Sequence, residues 1–225
     1  MLVLVLDTAT PAITAALAEV DSDGVRIRAQ RVIVDGRAHG ELLAPSINAV
    51  LTEAGVKSRD LRAVVAGVGP GPFTGLRAGL VTAATMGSAL GIPAYGVCTL
   101  DALGAATTGN VVVATDARRR EVYWAIYRAG SPGTPPMVEK PADVAVKLAA
   151  QGVTAGVGEG SHQYADVLGV APGDPLYPPP IEIARLAADR VLAKAPGESL
   201  TPLYLRRPDA VEPTTRKPAL AAGER

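Results

Sequence analysis

Residues 69–79 read Gly69-Pro70-Gly71-Pro72-Phe73-Thr74-Gly75-Leu76-Arg77-Ala78-Gly79 and join an apolar segment to a long one rich in Ala and Gly. The segment before them predicts a strand over 61–68, and the segment after them predicts a helix over 74–90. Free backbone N–H groups at such a turn and helix start can bind an anion. The glycine spacing matches neither G-x-x-x-x-G-K-[ST] nor G-x-G-x-x-G, so a tight turn that packs the helix closely on a sheet explains the stretch equally well.

The composition is that of an ordinary globular protein, with 225 residues of which 48% are hydrophobic and 20% are charged. Lys and Arg number 22, as do Asp and Glu, so no overall field draws the chain toward RNA or an anionic membrane. A single cysteine, Cys98, excludes an internal disulfide and suits a reducing compartment. The apolar opening, 1–6, stops at Asp7 and is too short for a signal or a membrane span. We therefore expect a cytoplasmic protein that does not enter the membrane.

A hairpin pattern occurs twice in the chain, at 2–20 and again at 110–129. Each copy has an apolar strand that ends in an aspartate, Asp7 or Asp116, followed by a turn and a second strand. The two aspartates are separated by close to half of the 225 residues. This long period indicates two similar domains rather than a solenoid. We predict an N-terminal domain at 1–106, a C-terminal domain at 107–207 and a mobile tail at 208–225.

Helical and strand periodicity alternate within each half, which predicts two α/β domains. Further strands are predicted at 25–34, 93–97 and 153–157, and a Pro-rich linker at 172–180. Beyond 74–90, helices are predicted at 39–54, from Thr99 onward, and at 142–151, 161–168 and 181–193.

The glycine- and proline-rich stretch at 69–79 resembles the G-P-G-S-F-T-G-L-R-I-G signature of the TsaB (YeaZ) family, with Pro72 where that family usually has Ser. Further matches follow in the same order and spacing at 3–10, 116–124 and 204–206, with Arg120 where the family often has Gly. The resemblance therefore covers nearly the whole chain. It implies two similar domains of the actin/hexokinase (ASKHA) architecture, each a mixed sheet headed by a β-hairpin with flanking helices.

The same resemblance implies a non-catalytic subunit in the bacterial synthesis of threonylcarbamoyladenosine on tRNA. Such a scaffold forms a heterodimer with the paralogue TsaD, which places threonylcarbamoyl on the adenosine at position 37, next to the anticodon, of tRNAs that read ANN codons. A TsaE-like ATPase completes the assembly, and tRNA is reached indirectly through it. Without TsaD, the chain could also pair with a second copy of itself.

Metal chemistry is not expected, because the two histidines, His39 and His162, are far apart in sequence and neither has a second histidine at ligand spacing. Alignment with TsaD places its two metal-binding histidines at Thr99 and Leu103 in this chain, and neither side chain can replace them. A metalloprotease (glycoprotease) is therefore disfavoured. We expect His39 to be exposed or to cap a helix.

Nucleotide chemistry stays open as the alternative function, an ATP-dependent phosphotransferase or ATPase. In relatives of this architecture, the positions of Asp7, Thr8, Thr10 and Asp116 hold Mg²⁺ and phosphates. A strand-end aspartate is more often a local acceptor for backbone N–H groups, and we expect no cofactor beyond a vestigial ATP–Mg²⁺ contact. The nearest adenosine motif, 156–160, is better explained as a turn. The arginines at 118–120 could contact phosphate or form a solvated hairpin tip.

A partner surface is predicted on the helices at 39–54 and 74–90. Gly75, Gly79, Ala83, Gly87 and Gly91 recur every four residues and form a ridge of minimal side chains, which suits close approach by a partner or by the chain's own sheet. Polar Ser46, Asn48, Thr82 and Thr85 are expected to face outward, and Arg77 to anchor the turn before it or a nearby carboxylate. The predicted partner-binding residues are Asn48, Gly75, Arg77, Gly79, Thr82, Ala83 and Gly87.

Overall fold

A computed structural model describes residues 1–206 and contains two mixed β-sheets. The first has the order β3-β2-β1-β4-β5, formed by β1 (Leu2–Asp7), β2 (Ala12–Asp21), β3 (Gly24–Val34), β4 (Ala63–Gly67) and β5 (Ala94–Val97). Strand β1 is antiparallel to β2 and parallel to β4, while β4 is parallel to β5. The hairpin β1–β2 and the parallel strands therefore bring Asp7 and the turn after β4 to the same edge.

Helices cover both faces of the first sheet. Leu4 and Leu6 of β1 face α1 (His39–Glu53) and α2 (Phe73–Leu90), whereas Val3 and Val5 face α7 (Pro180–Leu192). Alternate residues of a strand point to opposite faces, so a strand buried on both sides reads as the continuous apolar run seen at 2–6.

The second sheet has the order β11-β10-β6-β7-β8, with β9 also paired to β7. Its strands are β6 (Asn110–Asp116), β7 (Val122–Arg128), β8 (Ser131–Pro132), β9 (Met137–Glu139), β10 (Ala155–Val157) and β11 (Ala171–Gly173). Helices α4 (Pro141–Ala150), α5 (Glu159–Gln163) and α6 (Ala165–Leu168) belong to this half of the chain, and α3 (Thr99–Ala105) packs against it from the first half. The fold class predicted from the sequence is confirmed.

Two local predictions were wrong. The helix expected at 161–168 begins earlier and divides into α5 and α6 at Tyr164, whose backbone leaves the helical conformation. The proline-rich linker expected at 172–180 contributes β11, which lies parallel to β10. Strands of two or three residues, such as β8, β9 and β11, are too short to produce a readable period of two.

Helix α7 lies in the second half of the sequence but packs on the first sheet, where Ile183, Ala187 and Val191 join Val3 and Val5 in one buried cluster. The segment after α7 stays there, since the Glu198 N–H donates to the Ala94 carbonyl at 2.8 Å. The boundaries 1–106 and 107–207 stay a prediction, but the last helix completes the first sheet. The predicted tail, 208–225, lies outside the described residues.

None of the helices within residues 1–206 is both long enough and apolar enough to cross a bilayer.

Candidate functional site

Asp7 ends β1 and is fully enclosed, with only 1% of its surface exposed. One carboxylate oxygen, Oδ1, accepts the Ala9 N–H at 2.9 Å, and the other, Oδ2, accepts the Thr99 hydroxyl at 2.8 Å. Gly67 is essential to this packing, because a Cβ there would lie 1.7 Å from Oδ2. Burial raises the pKa of Asp7 to about 6, against the opposing effect of these hydrogen bonds.

Thr8 and Thr10 connect the first hairpin to the two helices beside it. The Thr8 hydroxyl donates to the Gly75 carbonyl at 2.7 Å and accepts the Gly79 N–H at 3.0 Å, so it bridges one i,i+4 pair of α2. The Thr10 hydroxyl accepts the Ala12 N–H at 3.2 Å. The His39 imidazole lies 2.8 Å from the Thr10 carbonyl and is buried, so the expectation of an exposed or capping histidine was wrong.

Asp116 ends β6 and occupies the corresponding position on the second sheet. Its Oδ1 accepts the Arg118 N–H at 3.0 Å, which makes it a local acceptor in the hairpin turn. Glu159, at the start of α5, approaches the same place and accepts the Asp116 N–H at 3.4 Å. The other Glu159 oxygen is buried and has no hydrogen-bond partner among the described residues, and burial raises the pKa of this carboxyl to about 7.

Glu159 was missed by the sequence analysis, which treated 156–160 as a turn only. An acidic residue two positions after a short strand was the available signal, because β10 is parallel to β6 and ends at the same edge.

The two hairpins enclose a cleft of about 250 Å³ lined by Thr8, Thr10, His39, Gly75, Asp116 and Arg118. Sites for drug-sized ligands are usually about 300–1,000 Å³, so the space is small for a nucleoside triphosphate. The oxygens of Asp7 and the hydroxyl of Thr8 are already bonded to the chain itself. These contacts give Asp7 and Thr8 a structural role in the first hairpin and in its packing against α2.

The positions that align with the TsaD metal ligands are both buried. Thr99 donates its hydroxyl to Asp7, and Leu103 packs beside Tyr127 in an apolar cluster. In the part of the chain that the structure describes, no three His, Cys, Asp or Glu side chains are grouped as metal ligands.

The glycine ridge of α2 faces its own sheet. A Cβ at Gly75 would meet the Thr8 carbonyl at 2.9 Å, and one at Gly79 would meet the Thr8 hydroxyl at 2.5 Å. A Cβ at Gly87 would lie 3.2 Å from the Ile92 carbonyl, and Ala83 is fully buried. The interpretation in which the ridge packs α2 onto its own domain is therefore correct. Gly75, Gly79, Ala83 and Gly87 are buried in this conformation, and their assignment as partner-binding residues stays a prediction.

The opposite side of α2 and the outer side of α1 are exposed, and Glu41, Glu53 and Arg77 are the charged residues among their exposed side chains. Val81, midway along α2, has 58% of its surface exposed. We call this surface the α1–α2 face and define it by Ala44, Pro45, Asn48, Val81, Ala84, Thr85, Ser88 and Ala89.

The other residues that were predicted to lie at the surface differ in how far they are exposed. Asn48, Arg77 and Thr85 are exposed and Thr82 is half-buried, but Ser46 is buried and donates to the Leu42 carbonyl at 2.7 Å, contrary to expectation. Arg77, which was expected to anchor the turn at 69–75 or a nearby carboxylate, contacts that turn through Phe73. Its guanidinium lies over the exposed ring of Phe73, 4.9 Å from the centroid.

Two mixed sheets, each headed by an aspartate-ended hairpin and covered by helices, define an α/β protein with two similar halves of the ASKHA type. Comparison with known proteins narrows this class. The family model described as "TsaD: tRNA N6-adenosine threonylcarbamoyltransferase" matches residues 32–165. YeaZ from Pseudomonas aeruginosa superposes with a TM-score of 0.74 at 29% identity, covering 91% of this chain and 99% of that one. The chain therefore belongs to the TsaB (YeaZ) family, within the wider group that the TsaD model describes, and the resemblance found in the sequence is confirmed.

Relatives identified by sequence support the same grouping. An uncharacterized protein of Mycobacterium leprae is 46% identical over 93% of this chain, which covers 56% of that protein's length. The Escherichia coli protein named tRNA threonylcarbamoyladenosine biosynthesis protein TsaB is 34% identical over 59% of this chain and 58% of its own length. The chain thus spans a little over half of each of these two relatives.

Proposed function

We propose that the chain is a non-catalytic subunit in tRNA threonylcarbamoyladenosine biosynthesis and docks on a TsaD-like paralogue through the α1–α2 face. The names of the E. coli and Bacillus subtilis relatives support this pathway. In the proposed assembly, the paralogue transfers threonylcarbamoyl to the adenosine at position 37 of tRNAs reading ANN codons. A TsaE-like ATPase completes the assembly, and the chain itself needs no cofactor.

The observation that carries the proposal is the burial of Thr99 and Leu103. The Thr99 hydroxyl is bonded to Asp7, and Leu103 is part of a hydrophobic core. Neither side chain is available to bind a metal, which supports a role in which another subunit carries out the group transfer. Asp7, Thr8 and Thr10 also support this conclusion, because their hydrogen bonds stabilise the hairpin and α2.

The α1–α2 face has the chemistry of a docking surface. Its side chains are small and uncharged, so a partner can cover it without burying an unpaired charge. The first domain of a TsaD-like paralogue carries the corresponding pair of helices. The two helix pairs can pack against each other about a pseudo-two-fold axis, which gives a closed dimer. The same geometry allows a second copy of the chain to occupy the face when the paralogue is absent.

The test introduces a charge at the centre of this face. Val81→Arg and Thr85→Arg should each weaken binding of the paralogue by about 2–5 kcal/mol, or about 30- to several-thousand-fold, since an unpaired guanidinium would be buried. Val146→Arg on α4 is the matched control, because Val146 is also exposed, with 71% of its surface accessible. Titration calorimetry with the TsaD protein of the same cell gives the affinities, and circular dichroism verifies the fold of each variant. Unchanged affinity in folded Val81→Arg and Thr85→Arg would exclude this face.

The phosphotransferase alternative has a separate test. Calorimetry of the isolated chain with ATP and Mg²⁺ should give no binding heat, because the hairpin cleft is small and the Asp7 and Thr8 oxygens are already hydrogen-bonded. Micromolar binding accompanied by ATP turnover would instead establish an enzyme. Elemental analysis that finds one tightly bound transition metal per chain would likewise contradict a non-catalytic subunit.

A further inference from the structure

The only phenylalanine of the chain, Phe73, lies at the surface with 57% of its side chain exposed. Its ring stacks on Tyr204, which is 48% exposed, with the centroids 5.4 Å apart and the planes inclined by 28°. A large aromatic residue usually stabilises a core by burying its area. Two such rings stacked in solvent do little for folding and leave an aromatic surface available to a ligand.

Arginines surround this aromatic pair in a cleft of about 880 Å³. Its walls include Phe73, Arg118, Arg119, Tyr123, Tyr204 and Arg206. Within residues 1–206, Asp116 lies 3.6 Å from the Arg118 guanidinium, and Glu121 is paired with Arg206. Arg77 adds a further positive charge beside the rings, because its guanidinium lies over Phe73. We call this site the Phe73–Tyr204 cleft; it shares Pro72, Phe73 and Arg118 with the smaller hairpin cleft.

The three walls of the cleft are fixed by the fold. The loop before Phe73 is pressed against the first hairpin, since a Cβ at Gly71 would lie 2.2 Å from the Ala9 carbonyl. The segment that carries Tyr204 is attached to the first sheet by the Leu203 N–H, which donates to the Val68 carbonyl at 2.8 Å. Arg206 donates to the Arg118 carbonyl and so connects this segment to the second hairpin.

The third wall is the tip of the second hairpin, and it has a strained backbone. Arg118, Arg119 and Arg120 have φ values of 62°, 54° and 61°. Non-glycine residues at positive φ cost free energy, and a run of three is retained where the surroundings require that shape. Here the strained turn places Arg118 and Arg119 along the cleft that the aromatic pair opens.

We propose that the Phe73–Tyr204 cleft binds a nucleotide of a single-stranded RNA segment, with the base against the aromatic pair and phosphates against the arginines of the hairpin tip and Arg206. Aromatic side chains stack on any base, and guanidinium groups match phosphate oxygens with paired donors. This inference rests on the proposed function, in which the assembly acts on tRNA, and it adds that this subunit contacts the RNA directly. A free nucleotide has the same base and phosphate groups, and the experiment distinguishes it from RNA.

The experiment measures fluorescence anisotropy of a labelled, unstructured RNA of about 12 nucleotides with the full chain. Tyr204→Ala should weaken binding about 5- to 150-fold, and Tyr204→Phe should retain wild-type affinity because the stacking ring is kept. Arg118→Ala should reduce the slope of log affinity against log salt by about 0.7, measured from about 50 to about 200 mM salt. Arg59→Ala is the control for lost charge, since Arg59 lies at the opposite end of β4.

Several results would overturn the inference. These are no RNA binding by the wild-type chain, wild-type affinity in a folded Tyr204→Ala variant, and binding of adenosine monophosphate without binding of RNA. Docking of Tyr204→Ala on the TsaD-like paralogue separates the two proposals, because intact docking with weakened RNA binding supports both. Lost docking with unchanged RNA binding would make the aromatic pair a protein contact instead.

Discussion

Folding and protonation are coupled at the Asp7 carboxyl. Burial raises its pKa from the ordinary 3.8 to about 6, so the folded chain holds the proton more tightly than the unfolded chain does. The free energy of unfolding therefore falls as the pH rises between those two values. At neutral pH, the buried carboxylate reduces stability by up to about 3 kcal/mol relative to its protonated form.

Asp7→Asn should remove this pH dependence. The amide can accept the Ala9 N–H and donate to the Thr99 hydroxyl, while no charge is buried. Urea unfolding at about pH 4.5 and about pH 7.5 should show the variant gaining about 2–3 kcal/mol over the wild type between the two conditions. Asp166→Asn, at an exposed position on α6, should follow the wild-type profile. Parallel profiles for Asp7→Asn and the wild type would remove Asp7 as the origin of the effect.

Gly79 fixes the separation of α2 from the first hairpin. Gly79→Ala should lower the free energy of unfolding by about 1–3 kcal/mol, because the new methyl group would meet the Thr8 hydroxyl at 2.5 Å. Gly40→Ala on α1 is the matched control, since nothing lies within 4 Å of a Cβ there. That change should stabilise the chain by about 0.5–1 kcal/mol through helix propensity. Equal effects from the two substitutions, measured by urea denaturation, would show that the ridge is not tightly packed.

At the scale of elements, α7 is held to the first sheet by a narrow apolar stripe. Ile183→Ala should cost about 2–5 kcal/mol, because it opens a cavity against Val3 and Val5. Leu186→Ala on the same helix removes a side chain that is 41% exposed and should cost much less. Thermal and urea unfolding of both variants measures the difference. A small effect of Ile183→Ala would mean that α7 is not required to cover the sheet.

The sequence predicts local elements well and their orientation less well. The periodicity of α1 and α2 placed both helices within a residue or so of their observed ends. The direction of the ridge at Gly75 and Gly79 was not determined, because a stripe of small residues suits a sheet and a partner equally. The hydrogen bonds of Gly75 and Gly79 with Thr8 show that the ridge faces its own sheet. They join segments that are separated in sequence by most of a domain.

The residues of the candidate site could likewise be predicted from the sequence better than the contacts between them. The repeated hairpin predicted Asp7 and Asp116, but it could not predict which groups donate hydrogen bonds to the Asp7 carboxylate. Thr99 reaches Asp7 from the start of α3, and Glu159 approaches Asp116 from just beyond β10, the strand next to β6 in the second sheet. Such pairs depend on how parallel strands are ordered, which no local pattern encodes.

At the scale of the whole molecule, the two halves of the chain are not independent. A fragment of residues 1–106 lacks α7 and would expose Val3, Val5, Val65 and Tyr95 on one face of its sheet. The fragment should therefore show no cooperative unfolding transition, whereas residues 1–206 should unfold cooperatively. Addition of a fragment of residues 107–206 should restore near-ultraviolet circular dichroism to the first. A cooperative transition of 1–106 alone would establish an autonomous domain.

Because α7 packs on the first sheet, that sheet is synthesised well before the helix that covers it. Strand β5 is complete at Val97, but the helix that covers its sheet ends only at Leu192. At bacterial rates of translation, roughly 5 to 20 seconds separate the two. During that interval the nascent chain presents an uncovered apolar sheet face on the ribosome. Slower translation would lengthen the period in which this face is uncovered and the chain can aggregate.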